Sequence, residues 1–388
     1  MYPRNVTALL LEDARYFPVL GIIGPRQSGK TTLAKALRPL LGKETLYFDL
    51  ELSDDARLLE QPSRFFQQNA DKCIIIDEVQ RMPELFTLLR AIVDQQRDPA
   101  RFILLGSASP WLLRHSSESL AGRIAYTELT PFSLVELPAD ISMEKHWFRG
   151  GFPDALLAPS DTVCERWLDN LVKTFVERDV RLLGYELAPA ALSRLILVLA
   201  TVHGNLLNVS DLSRTLGISQ PTVKHYLDIL EGAFMIDRLQ PYFLNITKRL
   251  VKSPKLYIRD SGILHFLANI PSAETLPNHI LAGASWEGYV IEQIRRCTFQ
   301  RWQYYFYRTQ KGTEADLLLV SPGGKKILVE VKFTSAPVLP KGFFEAKSDI
   351  QPDFTYIITP HGHNYQRDDG IHILPLTDFL NQELPKLH

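Results

Sequence analysis

The chain has 388 residues, of which 45% are hydrophobic and 22% are charged, and its formal net charge is −1. This composition is ordinary for a soluble globular protein. The length exceeds what one hydrophobic core usually supports, so we expect two to four domains. The charge gives no sign of a nucleic-acid partner over the whole chain, and any such evidence must be local.

The three cysteines, Cys73, Cys164 and Cys297, lie far apart and form no Cys-x-x-Cys or Cys/His cluster. We therefore expect neither a disulfide framework nor a zinc site, and a reducing cytosol is the expected compartment. The N-terminal segment has no signal-peptide core. No run approaches the roughly 18 apolar residues that would suggest a membrane span. A cytoplasmic protein without a membrane partner is the prediction.

Short apolar runs alternate with helical patterns from residue 18 to about residue 140. The runs that predict strands are PVLGIIG, TLYFDL, KCIIIDE, RFILLGS and GRIAYTEL. Between them lie candidate helices such as PELFTLLRAIVDQQ, whose leucines and isoleucine recur at helical spacing after Pro83. Strands that alternate with helices indicate a parallel sheet covered on both faces, so an α/β fold is predicted here.

The stretch GPRQSGKTT fits the phosphate-binding pattern G-x-x-x-x-G-K-[ST], with a predicted strand before it and a helical pattern after it. The glycines let the backbone fold around an anion, and the amides at the helix N-terminus point at phosphates. Lys30 would reach the β and γ phosphates of ATP, and the Thr31 hydroxyl would hold Mg²⁺. The predicted nucleotide-binding residues are Gly24, Pro25, Arg26, Gln27, Ser28, Gly29, Lys30, Thr31 and Thr32.

The run CIIIDE ends in two acids. A buried parallel strand delivers Asp77 to its C-terminal end, where ligands bind in open α/β sheets, so Asp77 is predicted to contact Mg²⁺. Glu78 is predicted to polarise the attacking water. After the next strand, Ser107 and Ser109 are candidates for sensing the γ phosphate, with a simple turn as the equal alternative. Arg123 is predicted either to stabilise the transition state in a neighbouring subunit or to be a surface arginine.

Several stretches resemble a family of prokaryotic AAA-type P-loop ATPases whose C-terminal half is a domain of unknown function. They are spread over nearly the whole chain: GPRQSGKTTL, IIIDEVQRMPELF, LLGSAS, SLAGRIAYTELTPFSLVEL, GGFPDAL, ERDV and PKLYIRDSG. The resemblance implies an AAA-like core that binds ATP, a winged-helix middle segment and a C-terminal fold similar to restriction endonucleases. One departure is Ser107, since AAA proteins often place Asn at this sensing position.

The stretch NVSDLSRTLGISQPTVKHYLDILEGAFMIDRLQPY has the pattern of a winged helix. Leu212 lies on a first helix, Gly217 makes the turn, and Ser219 caps a second helix, which in this motif enters the major groove. The predicted outward residues of the second helix are Gln220, Thr222, Lys224 and His225. The alternative is a winged helix that only packs against the core.

The segment from Arg238 to Arg259 carries basic residues and no acid. Such a patch is predicted to neutralise phosphates, with binding that weakens as salt increases. The basic residues are Arg238, Lys248, Arg249, Lys252, Lys255 and Arg259, and those predicted to contact DNA are Lys248, Arg249 and Lys252.

Near the C-terminus, KILVEVKF predicts a strand whose apolar face lies opposite Glu330 and Lys332. The preceding EADLLLV and the turn SPGGK predict an antiparallel hairpin that brings Asp316 alongside. In the helical pattern ASWEGYVIEQI, Glu287 falls on the apolar side and needs a partner such as a metal or a base. Glu292 lies on a different face of this helix from the apolar side chains, so it is expected to be solvated.

These residues match the PD-(D/E)xK nuclease pattern. Asp316 and Glu330 are predicted to hold Mg²⁺, Lys332 to orient or deprotonate the attacking water, and Glu287 to assist the metal. Glu314 lies on the same strand face as Asp316 and is the alternative ligand. The competing interpretation is a solvent-facing Glu-x-Lys pair, and an endonuclease-like fold does not by itself imply cleavage.

The predicted fold class is α/β and multidomain, with an AAA-like P-loop core containing a parallel sheet (1–140), a helical lid (141–200), a winged helix-turn-helix (201–268) and a C-terminal α+β restriction-endonuclease-like domain (269–388). Three functions are open: a homo-oligomeric ATPase that moves or remodels nucleic acid, with DNA favoured; an ATP-gated, Mg²⁺-dependent DNA nuclease; and a nucleotide switch that recruits a protein. The pair Asp77 and Glu78 favours hydrolysis, so the nucleic-acid ATPase ranks first.

Overall fold

The computed structural model describes residues 2–59, 61–108, 120–182, 185, 187–244, 249–299 and 301–387. The chain divides into two compact units. Unit 1 comprises Met1–Phe132, Lys173–Leu187 and Asp228–Met235, and unit 2 comprises Ser133–Val172, Ala188–Leu227 and Ile236–His388. The predicted division into four domains stays a prediction.

The strands follow the chain in this order: β1 Val19–Ile23, β2 Thr45–Asp49, β3 Cys73–Asp77, β4 Phe102–Gly106, β5 Ile124–Glu128, β6 Ile236–Pro241, β7 Lys255–Ile258, β8 Gln303–Arg308, β9 Glu314–Val320, β10 Lys326–Val331, β11 Phe354–Thr359, β12 Tyr365–Gln366 and β13 His372–Pro375.

The α-helices of the described ranges are α1 Val6–Asp13, α2 Lys30–Leu37, α3 Ser53–Leu58, α4 Pro62–Gln68, α5 Leu85–Gln95, α6 Met143–Arg149, α7 Pro153–Leu156, α8 Asp161–Thr174, α9 Val180–Leu182, α10 Pro189–Thr201, α11 Val209–Leu216, α12 Gln220–Gly232, α13 Ser261–Leu267, α14 Ala282–Thr298, α15 Lys341–Ile350 and α16 Leu376–Asp378. A π-helical turn, Phe175–Asp179, joins α8 to α9. None of the helices in these ranges is both long and apolar enough to cross a membrane.

In the described part of unit 1, five strands form a parallel sheet in the order β2-β3-β4-β1-β5. Each lies where an apolar run predicts a strand. Every residue of β1, β3 and β4 is buried, which explains their continuous apolar sequences, since such strands are covered on both faces. The predicted parallel α/β core is confirmed. The C-terminal ends of β1, β3 and β4 share one edge of the sheet, so the segments that follow them lie side by side.

Helices α11 and α12 lie in the stretch with the predicted helix-turn-helix pattern. The Asn208 side chain accepts hydrogen bonds from N–H groups in the first turn of α11, and Gly217 ends that helix with a φ of 67°. The Ser219 hydroxyl accepts a hydrogen bond from the backbone N–H of Thr222 at 3.2 Å, as its predicted capping role requires. Strands β6 and β7 follow as an antiparallel pair. The winged-helix assignment itself stays a prediction.

Eight described strands of unit 2 form a mixed sheet in the order β12-β13-β11-β10-β9-β8-β6-β7. Strands β9 and β10 pair antiparallel from Lys326 opposite Val320 to Val329 opposite Leu317, so the predicted hairpin is present. Strand β10 is buried on both faces. Val329 belongs to the hydrophobic core that contains residues of α14, and Leu328 belongs to a second core that contains residues of α15.

Glu292 in α14 is buried and ion-paired, so the expectation that it is solvated is wrong. Its carboxylate accepts hydrogen bonds from Arg259 at 3.0 Å and from Arg296 at 3.3 Å. Burial alone would raise the pKa of Glu292, but the guanidinium groups of Arg259, Arg296 and Arg295 hold that pKa below its usual value. The segment that carries Arg259 covers this side of the helix, which helical periodicity cannot reveal.

Two of the stretches that carry the family resemblance, GGFPDAL and PKLYIRDSG, meet in unit 2. Gly150 ends α6 with a φ of 78°, and a Cβ atom there would lie 2.0 Å from Oδ1 of Asp260. The other carboxylate oxygen of Asp260 accepts the N–H of Gly151 at 2.9 Å. Asp260 also caps α13 by accepting the N–H of Ile263 at 3.2 Å. Gly150 is therefore required because the carboxylate approaches the backbone so closely.

Asp260→Ala is expected to lower the free energy of unfolding of unit 2 by about 3 kcal/mol, because it removes a helix cap and an acceptor from the buried Gly151 N–H. It also removes the carboxylate that lies 3.7 Å from the buried guanidinium of Arg296. Calorimetry would follow the melting transition. Asp260→Asn keeps a side-chain oxygen that can cap the helix, so its free energy of unfolding should fall by less. Equal melting temperatures for Asp260→Ala and the wild type would contradict the prediction.

Candidate functional site

The phosphate-binding stretch forms a loop between β1 and α2. Gly24 approaches the backbone so closely that a Cβ atom there would lie 2.2 Å from the carbonyl oxygen of Leu129. Lys30 is buried, and its Nζ donates to the carbonyl oxygens of Gly24 at 2.9 Å and Pro25 at 2.8 Å. Burial lowers the pKa of Lys30 to about 8, although neighbouring carboxylates oppose this shift. The lysine therefore folds back onto its own loop.

A carboxylate and two hydroxyls converge beside this loop. The Thr31 hydroxyl donates to Oδ2 of Asp77 at 2.6 Å, and the Tyr47 hydroxyl donates to the same oxygen at 2.7 Å. Burial and the hydrogen bond to Asp77 raise the pKa of Tyr47. Oxygen ligands of this kind suit Mg²⁺, so Thr31 and Asp77 fit the predicted metal role. Sequence reasoning missed Tyr47, whose position in a strand next to β3 is the signal that points to it.

Glu78 begins the turn after β3 in the left-handed backbone region, with a φ of 55°. The Gln80 side-chain amide hydrogen-bonds to the Glu78 carboxylate and donates to the Ser107 hydroxyl at 2.9 Å. Gln80 therefore links the predicted water-polarising acid to the predicted sensing residue. Sequence reasoning missed Gln80, although it follows closely in IIIDEVQ. The other sensing candidate, Ser109, lies outside the described residues.

A network of ion pairs joins the phosphate-binding loop to the π-helical turn. Arg26 donates to Asp179 at 2.6 Å and to Glu51 at 3.2 Å. Glu51 also accepts from Arg81 at 2.9 Å and from Arg178 at 3.3 Å. Burial raises the pKa of Asp179, against the influence of the arginines. The ERDV stretch therefore lies beside the phosphate-binding loop. π-Helical turns within helices are frequent at functional sites in proteins.

Arg123 lies at the surface of unit 1, in a pair with Asp94. Its Nε and one terminal nitrogen donate to the two carboxylate oxygens of Asp94 at 2.6 Å and 2.9 Å. Such a forked arrangement holds the guanidinium in one orientation. Action of Arg123 in a neighbouring subunit would require release from Asp94, and that role stays a prediction.

The predicted outward residues of α12 lie at its N-terminal end. Gln220, Lys224 and His225 are exposed, and Thr222 is partly buried with its hydroxyl 2.8 Å from the Ser219 hydroxyl. The exposed residues provide one charged group and two hydrogen-bonding groups at the surface. Their predicted contact with DNA stays a prediction.

The basic segment after β6 divides into exposed and buried residues. Arg249 and Lys252 are exposed, whereas Lys248 lies outside the described residues. Lys255 is only 3% exposed, and Arg259 pairs with Glu292. The expectation that Lys255 and Arg259 belong to a surface patch is therefore wrong, because acids from distant parts of the chain cover both.

Lys255 instead lies among the acids predicted for the nuclease pattern. Its Nζ is 2.9 Å from Oε1 of Glu287, 2.8 Å from Oε1 of Glu314 and 4.0 Å from Oδ1 of Asp316. The Tyr257 hydroxyl also donates to Oε1 of Glu287 at 2.5 Å. Glu287 thus has a base as its partner, one of the two alternatives that its position predicts. Sequence reasoning missed Lys255 as part of this group.

Asp316 and Glu330 lie beside this lysine on the paired strands β9 and β10. Oδ2 of Asp316 accepts the N–H of Val331 at 2.9 Å, and the Lys332 ammonium donates to Oε1 of Glu330 at 2.7 Å. Oε2 of Glu330 is buried, and no described residue forms a hydrogen bond with it. Burial, together with the carboxylates of Glu287 and Glu330, raises the pKa of Asp316, and burial raises that of Glu330. The solvent-facing interpretation of Glu330 is wrong.

The arrangement of these acids does not fit a Mg²⁺ ion as it stands. Within the described ranges, no group of three or more His, Cys, Asp or Glu residues is placed to hold a metal ion. Glu287 and Glu314 already bind an ammonium group. The Mg²⁺ roles of Asp316 and Glu330, and the likeness to restriction endonucleases, stay predictions.

Comparison with known families finds an AAA domain over residues 16–137, and two domains of unknown function over residues 141–274 (DUF8612) and 282–379 (DUF4143). The match to the AAA domain confirms the predicted P-loop AAA-type ATPase core. The chain is 38% identical over 379 residues to an uncharacterised protein of Mycobacterium tuberculosis, covering 97% of this chain and 84% of that protein. An uncharacterised protein of Haemophilus influenzae is 25% identical over 272 residues, covering 62% and 67% respectively.

Among solved structures, a Walker-type ATPase of Pyrococcus abyssi is similar with a TM-score of 0.48 and 15% identity, covering 69% of this chain and 96% of that chain. The replication initiator DnaA, bound to AMPPCP and single-stranded DNA, is similar with a TM-score of 0.31 and 16% identity, covering 58% and 86%. Both likenesses are too distant to bear on function.

The protonation state of Lys30 predicts how ATP affinity depends on pH. With a pKa of about 8 in the free protein, Lys30 is mostly charged at pH 7 and mostly neutral at pH 9. Phosphate binding requires the charged form, so affinity should fall about tenfold between these values. Equilibrium titration with ATP would measure it. Lys30→Met should bind weakly with a flat pH profile; a tenfold fall in that variant would assign the effect to another group.

Proposed function

This chain belongs to the same family as the M. tuberculosis protein, and from that premise we propose that it hydrolyses ATP in unit 1 and uses this reaction to act on nucleic acid. The observation that supports hydrolysis is the convergence of Thr31 and Asp77 beside a buried Lys30, with Glu78 adjacent and held by Gln80. Lys30 and Thr31 begin α2 after β1, Asp77 ends β3, and Glu78 and Gln80 follow it.

Lys30 is prepared to bind phosphate. Its ammonium is held by two carbonyl dipoles and not by a carboxylate, so an incoming triphosphate offers it stronger acceptors. Exchange of these carbonyls for the β and γ phosphate oxygens places the nucleotide at the N-terminus of α2, where backbone amides also favour an anion. Mg²⁺, when bound by Thr31 and Asp77, supplies positive charge that offsets the charge developing on the phosphates.

Glu78 is the proposed base for the attacking water. In hydrolysis the water oxygen bonds to the γ phosphorus, the bond from that phosphorus to the bridging oxygen breaks, and ADP leaves with the electron pair. The Glu78 carboxylate orients the water and accepts its proton. Among the described hydrogen bonds, Gln80 engages only Oε2 of this carboxylate, so Oε1 is the oxygen proposed to receive the water.

Glu78→Gln is expected to reduce ATP turnover by at least a hundredfold while ATP affinity stays within a few fold, because the amide cannot accept the proton. Steady-state phosphate release and equilibrium ATP binding would measure the two quantities. Glu84→Gln alters a nearby exposed acid and is the matched control. Undiminished turnover in Glu78→Gln would remove Glu78 as the base. A wild type that binds ATP without turnover would favour the switch that recruits a protein.

The nucleic-acid part of the proposal depends on the surface of α12 and the segment after β6. Lys224, Arg249 and Lys252 are exposed. None of the described residues forms a hydrogen bond or an ion pair with the side chains of these three cations. Exposed cations that are not neutralised within the chain suit phosphate contacts, and Gln220 and His225 suit contacts with base edges. DNA is the favoured partner. A homo-oligomer is part of this proposal, with Arg123 released from Asp94 to reach a neighbouring subunit.

Replacement of Lys224, Arg249 and Lys252 by alanine is expected to weaken duplex DNA binding at least tenfold and to reduce the slope of log affinity against log salt by about 2 to 3, since each phosphate contact contributes about 0.9. Fluorescence anisotropy across a salt series would measure both. Arg301, Lys311 and Lys341 are also exposed, and their triple alanine variant is the matched control. Equal losses in both variants would indicate a general charge effect, and no loss in the first would end the DNA proposal for this surface.

A further inference from the structure

We propose that Lys255 is the resident cation of a carboxylate cluster in unit 2, formed by Glu287, Glu314, Asp316 and Glu330. Its ammonium occupies the place of a divalent metal ion, so that the cluster takes a metal only when the lysine is removed. The proposal concerns a site distinct from the ATP site and does not depend on the proposed ATPase reaction.

The first argument is the set of contacts that Lys255 makes. Its side chain is 4% exposed, and its ammonium lies within 2.9 Å of oxygens on two carboxylates from different elements, Glu287 on α14 and Glu314 on β9. Asp316 lies 4.0 Å away, inside the range of strong Coulomb attraction at a buried position. An ammonium group has three donors and no acceptor, so it suits the centre of such a group.

The second argument is charge balance. Three carboxylates, those of Glu287, Glu314 and Asp316, lie within 4.0 Å of the Lys255 ammonium. Glu314 has a second partner in Arg308 at 3.2 Å, and Glu330 pairs with Lys332. Removal of Lys255 would therefore leave buried negative charge without its central cation, which is costly unless another cation enters.

The third argument comes from Glu330. Oε2 of this residue has no hydrogen-bond partner among the residues that the structure describes, and the side chain is only 4% exposed. Oε2 of Glu330 and Oδ1 of Asp316 accept none of the described hydrogen bonds, so both oxygens are available to a cation. Oxygen ligands that a sheet and a helix hold in place suit Mg²⁺, Mn²⁺ or Ca²⁺. The carboxylate oxygens of this cluster therefore surround the ammonium group of Lys255 in place of a metal ion.

Lys255→Met removes the charge while keeping a long side chain, and it is expected to create one Mn²⁺ site with at least tenfold tighter binding than any that the wild type shows there. Titration of the full-length, nucleotide-free protein by electron paramagnetic resonance of Mn²⁺ would measure it. The double variant Lys255→Met with Asp316→Asn should lose the new site, which separates it from binding beside Thr31. Lys255→Arg keeps the charge and should behave as the wild type.

Mn²⁺ binding to the wild type that disappears in Asp316→Asn would overturn the proposal, and this comparison needs no change at Lys255. A folded Lys255→Met protein that gains no site would also overturn it. If Lys255→Met fails to fold, Lys255→Gln provides the same test with a polar side chain. A loss of ATP turnover in Glu78→Gln would leave these outcomes unchanged, so the two proposals fail separately.

Discussion

The cost of placing a charged group inside a protein shapes both units of this molecule. An ionised side chain removed from water loses several kcal/mol unless nearby groups compensate it. Lys30, Lys255 and Glu292 are all buried here. Polar or charged neighbours compensate each of these groups, but the type of neighbour differs from one group to the next. The type of neighbour determines whether a buried residue can exchange its partners or keeps them.

Lys30 and Lys255 illustrate this contrast. Carbonyl oxygens hold Lys30, and burial lowers its pKa to about 8, which shows that the compensation is incomplete. Carboxylates hold Lys255, and they raise its pKa despite burial. A polyanion can therefore attract Lys30 away from its loop, whereas Lys255 would have to leave full negative charges. The same residue type is thus proposed to bind substrate in one unit, whereas in the other it lies among carboxylates of its own chain.

Local sequence was informative where local physics decides the structure. The buried parallel strands are recognisable as continuous apolar runs, the phosphate-binding loop by its glycines and lysine, and the Ser219 cap by its place before a helical pattern. Glu292 and Lys255 were mispredicted because periodicity places a residue on its own helix or strand, not beneath a distant segment. The acids around Lys255 come from later in the chain, with Glu287 32 residues away. The contacts of Tyr47 with Asp77 and of Gln80 with Ser107 were missed because strand order sets them.

The ion pair between Arg26 and Asp179 spans 153 residues of sequence within unit 1. Burial raises the pKa of Asp179, whereas Arg26 and Arg178 oppose that rise. A nucleotide phosphate that attracts Arg26 would take away the guanidinium that now donates to this buried carboxylate. The π-helical turn would then have to rearrange around Asp179, so its conformation would depend on whether the phosphate-binding loop is filled.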